Sequence, residues 1–182
     1  MPDQSRPPTM HVTHVALYCR NLDRSVAWYR DVLGMTVNAS AQGRFAALSF
    51  GHKHHDFALV QAPAGFGDLD PPRVGLYHIA IDCGSFEQSL ALLRRARDAD
   101  SVFVKAIDHR LGTGIYVRDP DGNLLEFWSE AYGSMEEAIA QIGKMDPPFE
   151  ENPIGYPLDI DATMTAGSPV RAEGPPKDPT DS

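Results

Sequence analysis

Two histidines 64 residues apart occupy the same place in two copies of one short pattern. His14-Val15-Ala16-Leu17-Tyr18-Cys19 returns as His78-Ile79-Ala80-Ile81-Asp82-Cys83, and Asn21-Leu22-Asp23-Arg24-Ser25-Val26-Ala27 returns as Ser85-Phe86-Glu87-Gln88-Ser89-Leu90-Ala91. Self-similarity at a fixed offset implies two copies of one structural unit, and paired copies that both carry a histidine can bring two imidazoles to one centre. Glu126, near the end of the second copy, sits among Leu124, Leu125, Phe127 and Trp128. A carboxylate on the inner face of such a strand is costly unless it is paired or metal-bound. His14, His78 and Glu126 are therefore the candidate metal ligands. Two histidines and a carboxylate make a facial triad, which suits non-haem Fe(II) and leaves coordination positions open for reactants; Mn(II) tolerates the same N/O set. His11 and His52 have no such company and are read as exposed or locally satisfied.

The elements that must position these groups repeat as well. Each copy reads β-α-β-β-β. In the first, a β-branched strand over 11–19 leads to a helix near 23–33 that carries Leu22, Val26, Tyr29 and Leu33 at helical spacing and stops at Gly34. Strands are expected at 35–40, 44–50 and 55–61. In the second, a strand over 75–82 precedes a helix over 86–97 opened by the capping pair Ser85 and Gln88, and strands follow at 102–107, 113–118 and 123–129. The proline- and glycine-rich stretch 62–73 links the copies. Fold class is thus α+β, two βαβββ modules forming a cup-shaped mixed sheet. The domain is expected over 10–130, with module 1 at 10–62 and module 2 at 74–130.

The turn Asp119-Pro120-Asp121-Gly122-Asn123 lies between apolar strands and predicts a hairpin. If Arg118 pairs with Leu124, Tyr116 pairs with Glu126 on the same face, with Cβ atoms about 5 Å apart. In the first copy His55, Phe57 and Leu59 share parity, which points His55 into the cup and places Leu59 where the repeat would put Glu126's counterpart.

Beyond the repeat, Ser134-x-x-Glu137 opens an amphipathic helix to Lys144 with Met135, Ala138, Ile139 and Ile142 in one stripe. An extended arm to residue 160 follows. These later segments carry more apolar surface than a small two-module sheet needs, which predicts a homo-oligomer. Residues 1–9 and 161–182, rich in Pro, Gly, Asp, Ser and Thr, are expected to be flexible.

Composition narrows the partners. The 182 residues carry a formal net charge of −9, and no basic cluster exceeds Arg94-Arg95, which argues against nucleic acid and anionic membrane surfaces. The N-terminal residues have no apolar stretch, and no run long enough to span a bilayer occurs, so the chain reads as cytoplasmic. Cys19 and Cys83 are read as small apolar residues at strand ends rather than a disulfide framework.

One further pattern is specific. Ile107-x-His109, five residues, Ile115-Tyr116, two residues, Asp119-Pro120-x-Gly122, three residues and Glu126 resembles the signature of the type I extradiol ring-cleaving dioxygenases, within the vicinal oxygen chelate (glyoxalase/bleomycin resistance/dioxygenase) superfamily, over about residues 11–130. The resemblance is to the one-domain members. It implies that His14, His78 and Glu126 hold the metal, that Tyr116 and His109 orient a bound catecholate and O2, and that His55 is the acid–base histidine, with His54 bracing the turn. The implied reaction is extradiol (meta) cleavage of a small aromatic diol to a muconic semialdehyde-type product. Two rivals share the fold: a glyoxalase or thiol transferase, which would use a fourth ligand where Leu59 stands, and a drug-sequestering protein of the bleomycin-resistance type, which has no need of these histidines in register.

Overall fold

The computed structural model describes residues 11–69 and 74–173. The expectation of flexibility over residues 1–9 lies outside the described residues, as does that over 174–182. The chain divides into two compact units, Met1–Phe66 and Gly67–Ser182, and each has its own sheet.

The first unit runs β1 (Val15–Cys19), α1 (Leu22–Asp31), β2 (Thr36–Ala41), β3 (Phe45–Ser49) and β4 (Phe57–Gln61). Asn21 opens α1, its side chain accepting from Arg24 N at 3.0 Å, as expected of an Asn N-cap. The sheet order is β1-β4-β3-β2, with β1 parallel to β4 and the other pairs antiparallel. Leu22, Ser25, Trp28 and Tyr29 form the buried face of α1, and the Tyr29 ring meets Phe57 of β4 with centroids 5.1 Å apart.

That contact corrects the parity reading of β4. Phe57 and Leu59 are both buried, and Phe57 faces α1, so the face they share is the helix-packed one. The pairing Val15↔Phe57 and Ala16↔Ala58 in this sheet matches Ile79↔Leu125 and Ala80↔Glu126 in the other. The counterpart of Glu126 is therefore Ala58, not Leu59.

The second unit repeats the order as β5 (Ile79–Asp82), α2 (Phe86–Asp98), β6 (Phe103–Asp108), β7 (Gly112–Arg118) and β8 (Leu124–Glu130). Ser85 caps α2 by accepting from Gln88 N. Leu90, Leu93 and Ala96 of α2 are buried, as are Ile115 and Val117 of β7 and Leu125 and Phe127 of β8. These odd-numbered strand positions share one face by the twofold alternation of a strand, and α2 packs on both strands. Burying a side chain of this size contributes about 1.5–3 kcal/mol. The even-numbered positions 114, 116, 126 and 128 are left to the opposite face. Arg118 pairs with Leu124 and Tyr116 with Glu126, the register the turn residues dictate.

The later segments differ from an extended arm and tail. Met135–Ile142 forms α3, capped by Ser134. Tyr156–Pro157 forms a short strand, β9, which pairs antiparallel with β6 and gives the order β5-β8-β7-β6-β9. Where the chain reads as a tail from residue 161, Ile160–Ala166 forms α4, capped by Asp159, and Leu158 bridges to Arg171. Cys19 and Cys83 are both buried, and burial pushes the Cys83 thiol up to about 11. No helix among the described residues is long and apolar enough to cross a membrane.

Candidate functional site

In the second unit four of the six candidate residues meet around one carboxylate. His78 immediately precedes β5, which pairs with β8, so strand pairing carries its imidazole toward Glu126. Nε2 of His78 lies 3.1 Å from Glu126 Oε2. Tyr116 is directly opposite Glu126 on β7. His109, in the turn between β6 and β7, has Nε2 at 3.0 Å from the Tyr116 hydroxyl and 3.6 Å from Glu126 Oε1.

Glu126 is only 4% exposed. Burial alone would raise its pKa, yet hydrogen bonds from His109, His78 and Tyr116 outweigh it and hold the carboxyl at about 2. It is an anion throughout the physiological range. Burial pushes the Tyr116 phenol well above its ordinary value, and the neighbouring Glu126 adds to the effect. The phenol thus stays protonated and acts as a donor beside a fixed negative charge.

Gly114 makes room for this arrangement. A Cβ at position 114 would overlap the Glu126 Oε1 atom and press on the Tyr116 ring. Sequence reasoning missed Gly114; the signal was a glycine inside a strand, which marks a close approach by another group.

The site opens into a pocket of about 580 Å³. His78, His109, Tyr116 and Glu126 form its polar end. Leu111, Trp128, Tyr132, Met135, Phe149 and Pro153 supply apolar and aromatic walls. Trp128, two residues beyond Glu126 on the same strand face, lies 5.6 Å from the His109 ring centroid to centroid. Trp128 and the wall residues after it were absent from the sequence-derived site, because nothing in their spacing marks them.

The donor set suits a divalent cation. Two ligands in adjacent positions around one metal, with bonds of about 2.0–2.2 Å, lie about 3 Å apart, the separation seen between His78 Nε2 and Glu126 Oε2. The same separation serves a charge-assisted hydrogen bond. His78 Nδ1 is buried with no hydrogen-bond partner among the described residues, so Nε2 is the nitrogen that addresses the carboxylate. Among the described residues, no group of three or more His, Cys, Asp or Glu side chains is arranged as a cage for a metal ion.

The remaining two candidates belong to the first unit. His14 immediately precedes β1, as His78 precedes β5, and accepts or donates through Nδ1 to Thr13 Oγ1 at 3.1 Å. His55 lies in the loop before β4, its ring centroid 4.4 Å from that of His14 and 4.3 Å from that of His54. The Nδ1 atoms of His54 and His55 are in close contact. Thus His55 does come beside His14, but by the path of its loop rather than by strand parity. Desolvation, followed by the neighbouring imidazoles of His54 and His14, lowers the His55 pKa. The His54 carbonyl accepts from Asn38 Nδ2 at 3.0 Å, in keeping with a residue that braces the turn. Asp56 fixes the loop base, accepting from Phe50 N at 2.8 Å and pairing with Lys53 at 3.1 Å.

A family model described as the Glyoxalase/Bleomycin resistance protein/Dioxygenase superfamily matches residues 11–127. Biphenyl-2,3-diol 1,2-dioxygenase 2 of Rhodococcus globerulus is 29% identical over 168 residues, 89% of this chain and 85% of that protein. Catechol-2,3-dioxygenase of Bacillus subtilis (strain 168) is 28% identical over 66% of this chain but 41% of its own length. Among solved structures, a glyoxylase/bleomycin resistance protein/dioxygenase domain from Frankia sp. EAN1pec superposes with TM-score 0.60 at 26% identity, over 67% of this chain and 98% of that one. A lactoylglutathione lyase from Agrobacterium tumefaciens, at 22% identity and TM-score 0.52, covers 68% and 96% and shares the fold.

Proposed function

The chain belongs to the glyoxalase/bleomycin resistance protein/dioxygenase superfamily, and from that premise we propose that it is an extradiol dioxygenase acting on a catechol-type aromatic diol. The observation that carries this reading is the convergence of His78, His109 and Tyr116 on the buried Glu126 anion at the polar end of an apolar-walled pocket. The relatives named biphenyl-2,3-diol and catechol dioxygenases support it. His78 and Glu126, with His14 as the sequence counterpart of His78, are the proposed ligands of Fe(II), with Mn(II) as the alternative. The metal, when bound, supplies a Lewis-acidic and redox-active centre for the diol oxygens and O2.

The chain's own residues hold and move protons. Tyr116, kept protonated by burial and by Glu126, donates to a diolate oxygen that enters beside the carboxylate. His109 fixes the rotamer of that hydroxyl through its 3.0 Å contact. His55, whose pKa is lowered, rests as the neutral imidazole. It therefore acts first as a base, taking a proton from the diol, and then as an acid, returning that proton to oxygen as the O–O bond breaks. Leu111, Trp128 and Tyr132 exclude water and seat the ring.

A glyoxalase-type reading asks for one more ligand from the first copy. The residue at that place is Ala58, whose side chain cannot ligate. The proposed reading also includes self-association, because Met135 and Ile139 stand 69% and 59% exposed on α3, an apolar strip that a second copy would cover. Light scattering should then report a mass above 20.0 kDa.

The experiment is an oxygen-electrode screen of catechol, methylcatechols, dihydroxybiphenyl and acidic catechols after anaerobic loading with Fe(II) or Mn(II). The expected product is heavier than its diol by two oxygen atoms and carries an acid together with an aldehyde, or with a ketone where the cleaved ring carbon bears a substituent. No oxygen uptake with any diol, in protein shown to hold metal, would overturn the reading.

A further inference from the structure

Eight of the fourteen residues that line the pocket come from position 130 onward, beyond the family-matched residues 11–127. They belong to the end of β8, the turn that leads to α3, α3 itself and the arm between α3 and β9. The arm has little regular structure of its own, so something must hold it. Arg110 does this. Its guanidinium donates Nη1–H to the Pro147 carbonyl at 2.7 Å and Nη2–H to the Asn152 carbonyl. Those two carbonyls bracket the segment that contributes Phe149, and Pro153 follows directly. The Arg110 backbone sits at φ 69°, its N–H fixed by Asp108 Oδ1 at 2.8 Å.

Two features argue that this clamp serves the pocket. The Nε of Arg110 is buried with no hydrogen-bond partner among the described residues, so the guanidinium is held inside the protein by the two arm carbonyls it binds. Ile154, just beyond the clamped segment, packs against the cluster formed by Ile107, Tyr116 and Leu124, so the arm is tied to the strands that carry the phenol. The arm's other anchor is separate from Arg110. Gly155, at φ 101°, lies so close to the Asp108 carbonyl that a Cβ there would overlap it, and β9 then pairs with β6.

The wall also has a charge character. Glu130 lies in the lining with Glu126, and no lysine or arginine is among the described residues that line the pocket. A ring substituent that reaches Phe149 and Pro153 meets apolar surface, and a carboxylated one meets Glu130 with no counter-charge.

We propose that Arg110 is a positioning residue that holds the Phe149–Pro153 segment as one wall of the pocket and thereby sets a preference for diols bearing a neutral, apolar ring substituent. This rests on the dioxygenase reading for its substrate, but the clamp itself does not.

The test uses the full chain, loaded with Fe(II), as wild type, Arg110→Ala, Arg110→Lys and Phe149→Ala. Oxygen uptake is measured with catechol, 3-phenylcatechol and 2,3-dihydroxybenzoate. Wild type should favour the phenyl diol and discriminate against the carboxylated one. Arg110→Ala should reduce the phenyl-over-catechol ratio of kcat/KM about tenfold, the loss falling on KM for the phenyl diol. Arg110→Lys should be intermediate, since one ammonium cannot span both carbonyls as the planar fork does. Phe149→Ala should reproduce the lost ratio with Arg110 intact. Equal loss for both diols, or an unchanged ratio, overturns the selectivity role. If Arg110→Ala does not fold, an unchanged ratio in Phe149→Ala overturns it alone. Hydrogen exchange gives the second readout: the amides of Glu151, Asn152 and Gly155, bonded within the arm, should lose protection in Arg110→Ala while β7 and β8 keep theirs. Retained protection overturns the clamp. If wild type turns over no diol, the dioxygenase reading has failed, and the exchange result still decides the clamp.

Discussion

The two copies of the βαβββ unit share a backbone plan and divide the chemistry unequally. At matching register, the first has Ala47 opposite Ala58, and the second has Tyr116 opposite Glu126. The second unit thus mounts Tyr116 and Glu126 on paired strands, where rotamers are locked by neighbours. The first has no polar side chain at those strand positions and gathers its imidazoles at His14 and in the loop that carries His54 and His55. The turn into β8 is a tight one fixed by Asp119, whose side chain accepts from the amides of Asp121 and Asn123. The loop into β4 is longer and is fixed by Asp56. Duplication supplies two equivalent frames; one holds a charge fixed on a strand, and the other holds imidazoles gathered at a strand start and in a loop.

The most severe way to break this contrast is Glu126→Ala, which gives the second copy the residue the first has at that place. Affinity for Fe(II) should fall by more than about a hundredfold, beyond what loss of a supporting residue costs, and calorimetric titration or metal analysis after gel filtration reads it. Retained stoichiometric metal would show that the two copies do not differ in the way described. His55→Gln tests the other side. The variant should hold its metal and lose about 10²–10⁴-fold in turnover, and a variant that loses metal or keeps full rate would reverse the division of roles. Tyr116→Phe is milder. Loss of one hydrogen bond to substrate should raise KM about tenfold, and a loss as large as that of His55→Gln would exchange the two assignments.

The smallest effect concerns the loop. Phe50 N–H, Lys53 and Ser49 hold the Asp56 carboxyl below its ordinary value against the opposing effect of burial. A carboxyl with a depressed folded-state pKa contributes stability that is complete above its unfolded value and is lost as pH falls through the folded one. The first unit's loop should therefore loosen in acid below about pH 4, and Asp56→Asn should remove most of that pH dependence at a small cost in melting temperature at pH 7. A melting curve of Asp56→Asn with the same acid slope as wild type would exclude this origin.

Much of this architecture could be read from residue order. The repeated histidine phrase located both first strands, Ser85 and Ser134 marked helix starts, and the turn after Arg118 set the register that pairs Tyr116 with Glu126. The reading fails at the register of β4, where Leu59 stands 67 residues before Glu126. Val15 and Ile79 are 64 residues apart, whereas their partners Phe57 and Leu125 are 68 apart, because the connections between strands differ in length. A slip of one residue exchanges the two faces of a strand, so Leu59 faces the helix while Ala58 holds the place of Glu126, and parity with Leu59 does not aim His55 into the cup. The arm was illegible for another reason. A two-residue strand has no periodicity, and α4 depends on the Asp159 cap and the left-handed Gly167 at its end rather than on an apolar stripe. Arg110, Gly114 and Trp128 act through their closeness to groups distant in sequence, which spacing does not reveal.

The addition of β9 bears on solubility. A free sheet edge presents unpaired N–H and C=O groups that invite pairing with another chain. In the first sheet the edge strand β2 carries a register irregularity between Val37 and Ala39, which breaks the continuity such pairing needs. In the second, β9 and the Leu158 N–H to Ala106 carbonyl bond at 2.9 Å occupy the outer side of β6 over 106–108. A chain cut after α3 would uncover those positions, and its tendency to form cross-strand aggregates should rise although every catalytic candidate is still present.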